Sequence, residues 1–231
     1  MGDGRRRAVL EALGIDLYVR REQPAPEGEG PPRPVAADGP GWEALEAAVR
    51  TCTRCELHRT RTQTVFGVGD RRARWMFIGE APGAEEDRQG EPFVGRAGQL
   101  LNSMLRALGL GRDQVFIANV LKCRPPGNRD PRPEEAASCR GYLEGQIALI
   151  EPTLIVAVGR IAAQNLLGTD APLARLRGRV HSLGERGRPV VVTYHPAYLL
   201  RSPGEKRKAW QDLVFARKVL REAQSGQSEP A

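Results

Sequence analysis

Leu154-Ile155-Val156-Ala157-Val158, followed at once by Gly159-Arg160, is the stretch on which the fold turns. Five successive apolar residues leave no polar face, so the run reads as a strand covered on both sides rather than one half exposed to water. Working outward, Trp75-Met76-Phe77-Ile78, Val115-Phe116-Ile117-Ala118 and Val190-Val191-Val192-Thr193-Tyr194 are runs of the same kind. Between them the periodicity changes. Leu100, Leu101, Met104, Leu105 and Leu108 recur at helical spacing and predict a helix over Ala97–Leu108. Further helices are expected over Pro133–Ile150, where proline suits a first turn, over Ile161–Leu167, and over Glu205–Glu222. Buried strands alternating with helices predict an α/β chain: three layers, α/β/α, around a central four-stranded parallel sheet.

The rest of the 231-residue chain is organised around that domain. Residues 5–21 can form a short amphipathic helix, and Glu22–Gly41 contains six prolines and four glycines, the composition of a linker. The expected division is an N-terminal extension and linker over 1–41, a folded domain over 42–222 and a polar tail over 223–231. No apolar run approaches the roughly 20 residues that cross a bilayer, and no secretion signal opens the sequence, which implies a cytoplasmic protein with reduced cysteines. The net charge is +7, and Gly159–Arg221 holds 13 basic against four acidic residues, a local +9. A basic face suits a phosphate backbone. Compositional bias is the competing explanation, because 31 of the 35 basic residues are arginine.

In an open parallel sheet, ligands sit beyond the carboxyl ends of the strands. The residues that follow the four expected strands are Gly79-Glu80-Ala81-Pro82-Gly83, Asn119, Gly159-Arg160 and His195-Pro196-Ala197. A carboxylate, an amide and an imidazole on one rim define a candidate catalytic cleft. The four cysteines form a second set. Cys52-x-x-Cys55 with Cys123 and Cys139 can close one four-thiolate site, for zinc or for an iron–sulfur cluster. The 16-residue separation of the last two departs from the paired CxxC units of zinc ribbons and favours a cluster. Four unrelated buried thiols are the alternative.

Four segments together resemble one known family. Gly79-Glu80-Ala81-Pro82-Gly83-Ala84-Glu85-Glu86-Asp87, Gly90-Glu91-Pro92-Phe93-Val94-Gly95-Arg96-Ala97-Gly98, Asn119-Val120-Leu121-Lys122-Cys123-Arg124-Pro125-Pro126 and His195-Pro196-Ala197-Tyr198-Leu199-Leu200-Arg201 are similar, in order, to the motifs of family 4 uracil-DNA glycosylases. The resemblance runs from Cys52 to about Leu220 and implies a monofunctional DNA-repair enzyme. Such an enzyme flips uracil out of DNA and hydrolyses its N-glycosidic bond, leaving an abasic site. It also implies a [4Fe-4S] cluster on Cys52, Cys55, Cys123 and Cys139, with zinc as the alternative.

By position, the resemblance makes Glu80 and His195 catalytic. Phe93 stacks on the extruded base, Asn119 binds its edge, and Gly79, Ala81 and Gly83 line the pocket. Glu86 is expected to supply bulk that excludes thymine. His195–Arg201 reads as a loop after the last strand, bringing Tyr198, Leu199 and Arg201 to DNA, with Leu199 and Leu200 either wedging into the duplex or anchoring the loop. The expected partner is uracil-containing DNA, the expected state a monomer, and the extension is free to bind another protein. A non-catalytic iron–sulfur or zinc DNA-binding protein is the competing class.

Overall fold

The structure is a computed structural model and describes residues 40–225. The expected helix over 5–21, most of the linker and most of the polar tail lie outside the described residues. Six strands form one sheet in the order β1 (Val68–Gly69), β3 (Phe116–Asn119), β2 (Trp75–Gly79), β4 (Leu154–Val158), β6 (Arg188–Thr193), β5 (Val180–Leu183). The four inner strands run parallel, while β1 and β5 pair antiparallel at the edges. The expected four-stranded parallel sheet is therefore corrected to a mixed six-stranded one. The physical reason lies in burial. The inner strands are buried along most of their length, whereas β5 alternates between exposed and half-buried residues and β1 is only two residues long. Neither edge strand has the continuous apolar run by which the inner strands announce themselves.

Eight helices complete the domain: α1 (Pro40–Arg50), α2 (Ala84–Gln89), α3 (Arg96–Ala107), α4 (Pro133–Ile150), α5 (Arg160–Leu167), α6 (Leu173–Leu176), α7 (Pro196–Arg201) and α8 (Lys206–Ser225). Successive strand residues serve opposite faces of the sheet. Met76, Ile78, Ile155 and Ala157 pack with Trp42 and Val49 of α1, Leu143 and Ile147 of α4, and Ala162 of α5. Trp75, Phe77, Leu154, Val156 and Val158 pack with Leu101 and Leu105 of α3 and with Leu213 and Ala216 of α8. These two cores, one on each face, make the three layers.

His195–Arg201 is a second correction. The segment is not a loop but the short helix α7, which starts as Pro196 takes the first turn and His195 caps it. Its helical spacing buries Leu199, 1% exposed, while Leu200 at 37% and Tyr198 at 38% face outward. Leu199 is therefore buried and anchors the helix to the domain instead of being available to a partner, and the exposed leucine is Leu200.

Candidate active site

The strand order creates the site. β2 and β4 are neighbours, yet the chain leaves β2 for a helix on one face and leaves β4 for α5 on the other, which makes their carboxyl ends the switch point where open α/β sheets bind ligands. Gly79 pairs in register with Asn119, and the backbone ladder continues past the strands as Val120 N–H donates to Gly79 O (2.9 Å) and Leu121 N–H to Glu80 O (3.0 Å). Gly79, Glu80 and Asn119 are thus held side by side. Gly159 N–H donates to Thr193 O (2.8 Å), which brings the end of β4 against the segment leading to His195. A Cβ at Gly159 would lie 2.9 Å from that of His195, so the close approach requires glycine there, at φ +99°.

Phe93 packs among these residues. Its ring centroid is 5.5 Å from that of His195. The same ring and Asn119 Oδ1 crowd the place where a side chain at Gly79 would begin. Phe93 is one of the few non-glycine residues in the left-handed region, with φ 54°, a conformation that costs an L-residue roughly 1–2 kcal/mol. The surroundings hold it there. Arg112 donates to the carbonyls of Pro92 and Phe93 and to Asn102 Oδ1. Glu86 Oε1 accepts from Val94 N–H (2.9 Å) and Gly95 N–H (3.1 Å). In α3, a Cβ at Gly98 would collide with the Phe93 carbonyl.

The polar groups are tuned unequally. Ala197 N–H donates to His195 Nδ1 (3.1 Å), so the neutral imidazole carries its proton on Nε2. Burial, helped by the charge of Arg201, brings the imidazole down to about 4, which keeps it neutral at physiological pH. Glu80 is pushed up to about 7, first by burial and then by Asp130, with Arg160 opposing. Asp130 and Arg160 pair at 2.7 Å on the surface. Asn119 is 2% exposed and its Oδ1 has no hydrogen-bond partner. Of the other expected residues, Ala81 and Gly83 are half-buried in the turn into α2, with the Glu86 carboxylate lying over Gly83. Arg201 is exposed at the end of α7. Sequence reasoning missed Arg112 and Asp130. Arg160 was legible as the residue that follows β4, but its partner came only with the folded loop.

The four cysteines line one pocket together with Arg54, Arg61 and Lys122. Cys123 and Cys139 are buried, Cys52 and Cys55 half-buried. Burial raises the Cys123 thiol and pushes Cys139 up to about 11, while Arg61 donates to Cys123 Sγ (3.0 Å). Lys122 is wholly buried, donating to Asn119 O (2.9 Å) and Gln146 Oε1 (2.6 Å). Among the described residues, no group of three or more His, Cys, Asp or Glu side chains has the geometry of a bound metal ion.

With a three-layer α/β/α core, a carboxylate, amide and imidazole at the strand ends, and a match of residues 66–214 to the model of the Uracil DNA glycosylase superfamily, the chain belongs to that superfamily. It is 48% identical over 170 residues to the type-4 uracil-DNA glycosylase of Archaeoglobus fulgidus, covering 70% of this chain and 85% of that protein. With the type-4 enzyme of Thermotoga maritima it shares 43% over 183 residues, 78% and 94% of the two chains. A type-5 uracil-DNA glycosylase of Thermus thermophilus is 35% identical over 149 residues, 57% of this chain and 68% of that one. Within the superfamily the chain thus stands with the type-4 branch.

Proposed function

We propose that this chain is a monofunctional uracil-DNA glycosylase, which draws a uracil nucleotide out of DNA into the pocket at the strand ends and hydrolyses the bond between uracil N1 and deoxyribose C1′. The observation that carries this is the buried, unpartnered Oδ1 of Asn119 beside the Phe93 ring. A buried acceptor left unmade costs on the order of 1–3 kcal/mol, so the site favours a ligand that brings a donor to it. Uracil presents N3–H and a neighbouring O4 carbonyl, which match the two ends of one amide. Cytosine presents an acceptor and an amino group instead, and a fixed Asn119 would reject it. The Phe93 ring supplies a stacking surface for the extruded base.

As the C1′–N1 bond breaks, negative charge gathers on uracil and positive charge on the sugar. His195, neutral with its proton on Nε2, donates to the developing anion at O2 without having to transfer the proton. Glu80, as carboxylate, stabilises the sugar cation or orients the attacking water, whose hydroxyl adds to C1′ while its proton passes to the Glu80 carboxylate and from there to solvent. Glu86, already committed to the loop after Phe93, adds the bulk that keeps a C5 methyl out. Tyr198, Leu200 and Arg201 on α7 face the duplex, within the basic third of the chain. Every residue named comes from one chain, so a monomer suffices. No described helix is long and apolar enough to cross a membrane, and the thiols suit a reducing cytosol.

The four thiols are assigned to a [4Fe-4S] cluster, with zinc as the alternative. The donor chemistry suits it: four soft sulfur ligands line one pocket whose walls also carry Arg54 and Arg61, positive charges that complement the excess negative charge of a four-thiolate metal site. When bound, the cluster would tie the segment after α1 to the loop after β3 and to α4, and excision would make no use of its electrons. A brown preparation containing iron and inorganic sulfide is expected. A colourless protein with stoichiometric zinc would replace the cluster by zinc.

The deciding experiment incubates the protein with a uracil-containing oligonucleotide and then treats it with alkali. Strand breaks at the uracil are expected. Asn119→Ala should lower excision by about 10²-fold, the scale of a lost transition-state contact, while affinity for undamaged DNA stays unchanged. An unbroken strand with intact protein would instead favour the non-catalytic DNA-binding class.

A further inference from the structure

We propose that Arg112 is a positioning residue that sets the angle of the Phe93 ring by gripping the peptide planes on both sides of the Phe93 Cα. The Pro92 carbonyl belongs to the plane before that Cα and the Phe93 carbonyl to the plane after it. One guanidinium donates to both, through Nη2 and Nη1 respectively. Rotation about φ and rotation about ψ would each break one of these bonds, so the fork locks the pair of dihedrals together. The locked conformation is one that phenylalanine does not choose for itself, at φ 54°.

Three neighbours make the grip specific. Asn102 Oδ1 accepts from the same Nη1 at 3.2 Å and orients the guanidinium from α3. Glu86 takes the N–H groups of Val94 and Gly95, so the peptide after Phe93 is held at its oxygen by Arg112 and at its nitrogen by Glu86. Gly98 leaves room for the Phe93 carbonyl to face α3 at all. Arg112 itself is only half-buried and belongs to a single helical turn between α3 and β3, away from the strand-end motifs. Its hydrogen bond to Phe93 is to the backbone carbonyl. A lysine at this position would have to serve both carbonyls from a single nitrogen, without the spaced, planar pair of donors that the guanidinium presents.

This inference rests on Phe93 being the stacking surface for uracil, and a double-mutant cycle separates the two claims. In the otherwise unaltered protein, Arg112→Met should lower kcat/KM for a uracil-containing oligonucleotide about tenfold, and Arg112→Lys should lower it several-fold despite keeping the charge. In a Phe93→Ala background, neither substitution should lower it further, because there is no ring left to aim. Affinity for undamaged DNA should be unchanged throughout. If the Arg112 losses multiply with that of Phe93→Ala, Arg112 acts elsewhere and the inference fails while stacking stands. If Phe93→Ala excises uracil at the original rate, the stacking role falls and the inference with it. Should Arg112→Met not fold, Arg112→Lys decides by the same criteria, and original activity in that variant would overturn the need for a fork.

Discussion

At the residue scale, the pocket separates two ionisable groups by environment. His195 is brought down to about 4 and Glu80 pushed up to about 7, so near neutrality the imidazole is uncharged while the carboxyl group is divided between its two forms. If the carboxylate is the working form, kcat/KM should climb as pH rises through about 7 and level off above it, because the free enzyme's essential groups set that profile. Glu80→Gln should remove this limb and lower the plateau, as a pH series of initial rates would reveal. A limb that survives the substitution would assign the ionisation to another group. Both residues were legible from sequence, since each directly follows a strand. Their ionisation was not, because it depends first on burial in the folded chain, then on Asp130 and Arg160, which reach Glu80 from distant segments, and on Arg201, which helical winding of α7 sets near His195.

At the element scale, α7 turns one short segment into two surfaces. A loop would leave both leucines free to insert into DNA, whereas helical spacing sends Leu199 inward and Leu200 outward. Leu199→Ala should therefore destabilise the fold by about 2–5 kcal/mol, measured by urea unfolding. Leu200→Ala should stay within about 0.5 kcal/mol of the original stability and lower excision from duplex DNA instead. Equal destabilisation by both would mean that α7 is rotated from the orientation described. The inner strands and long helices were readable because each states its burial in its own periodicity. The elements missed are β1, β5, α1, α2, α6 and α7: the edge strands are short or half-exposed and are held by pairing with inner strands distant in sequence, while the helices are short or, in α1, bury only Trp42 and Val49.

At the scale of the whole molecule, the strand end that leads to His195 is anchored by an ion pair from distant segments. Arg177 donates through Nε to Asp212 Oδ2 (2.7 Å) and through Nη2 to Oδ1 (2.9 Å). Thr193 of β6 donates its hydroxyl to the same carboxylate (2.9 Å), and the guanidinium lies 4.3 Å from the Tyr194 ring centre. Asp212→Ala strands a largely buried arginine and should destabilise by about 3–5 kcal/mol in denaturant titrations. A loss below 1 kcal/mol would show that water reaches Arg177. The sequence by itself determined the layer architecture, the four inner strands and the residues at their carboxyl ends, because periodicity and chain order are local properties. Tertiary structure alone decided that the edge strands cap the sheet, that Leu199 is core, that four cysteines share a pocket and that Arg112 holds the Phe93 loop. Each of these depends on contacts between segments far apart in the chain, and such contacts leave no periodic mark on either partner.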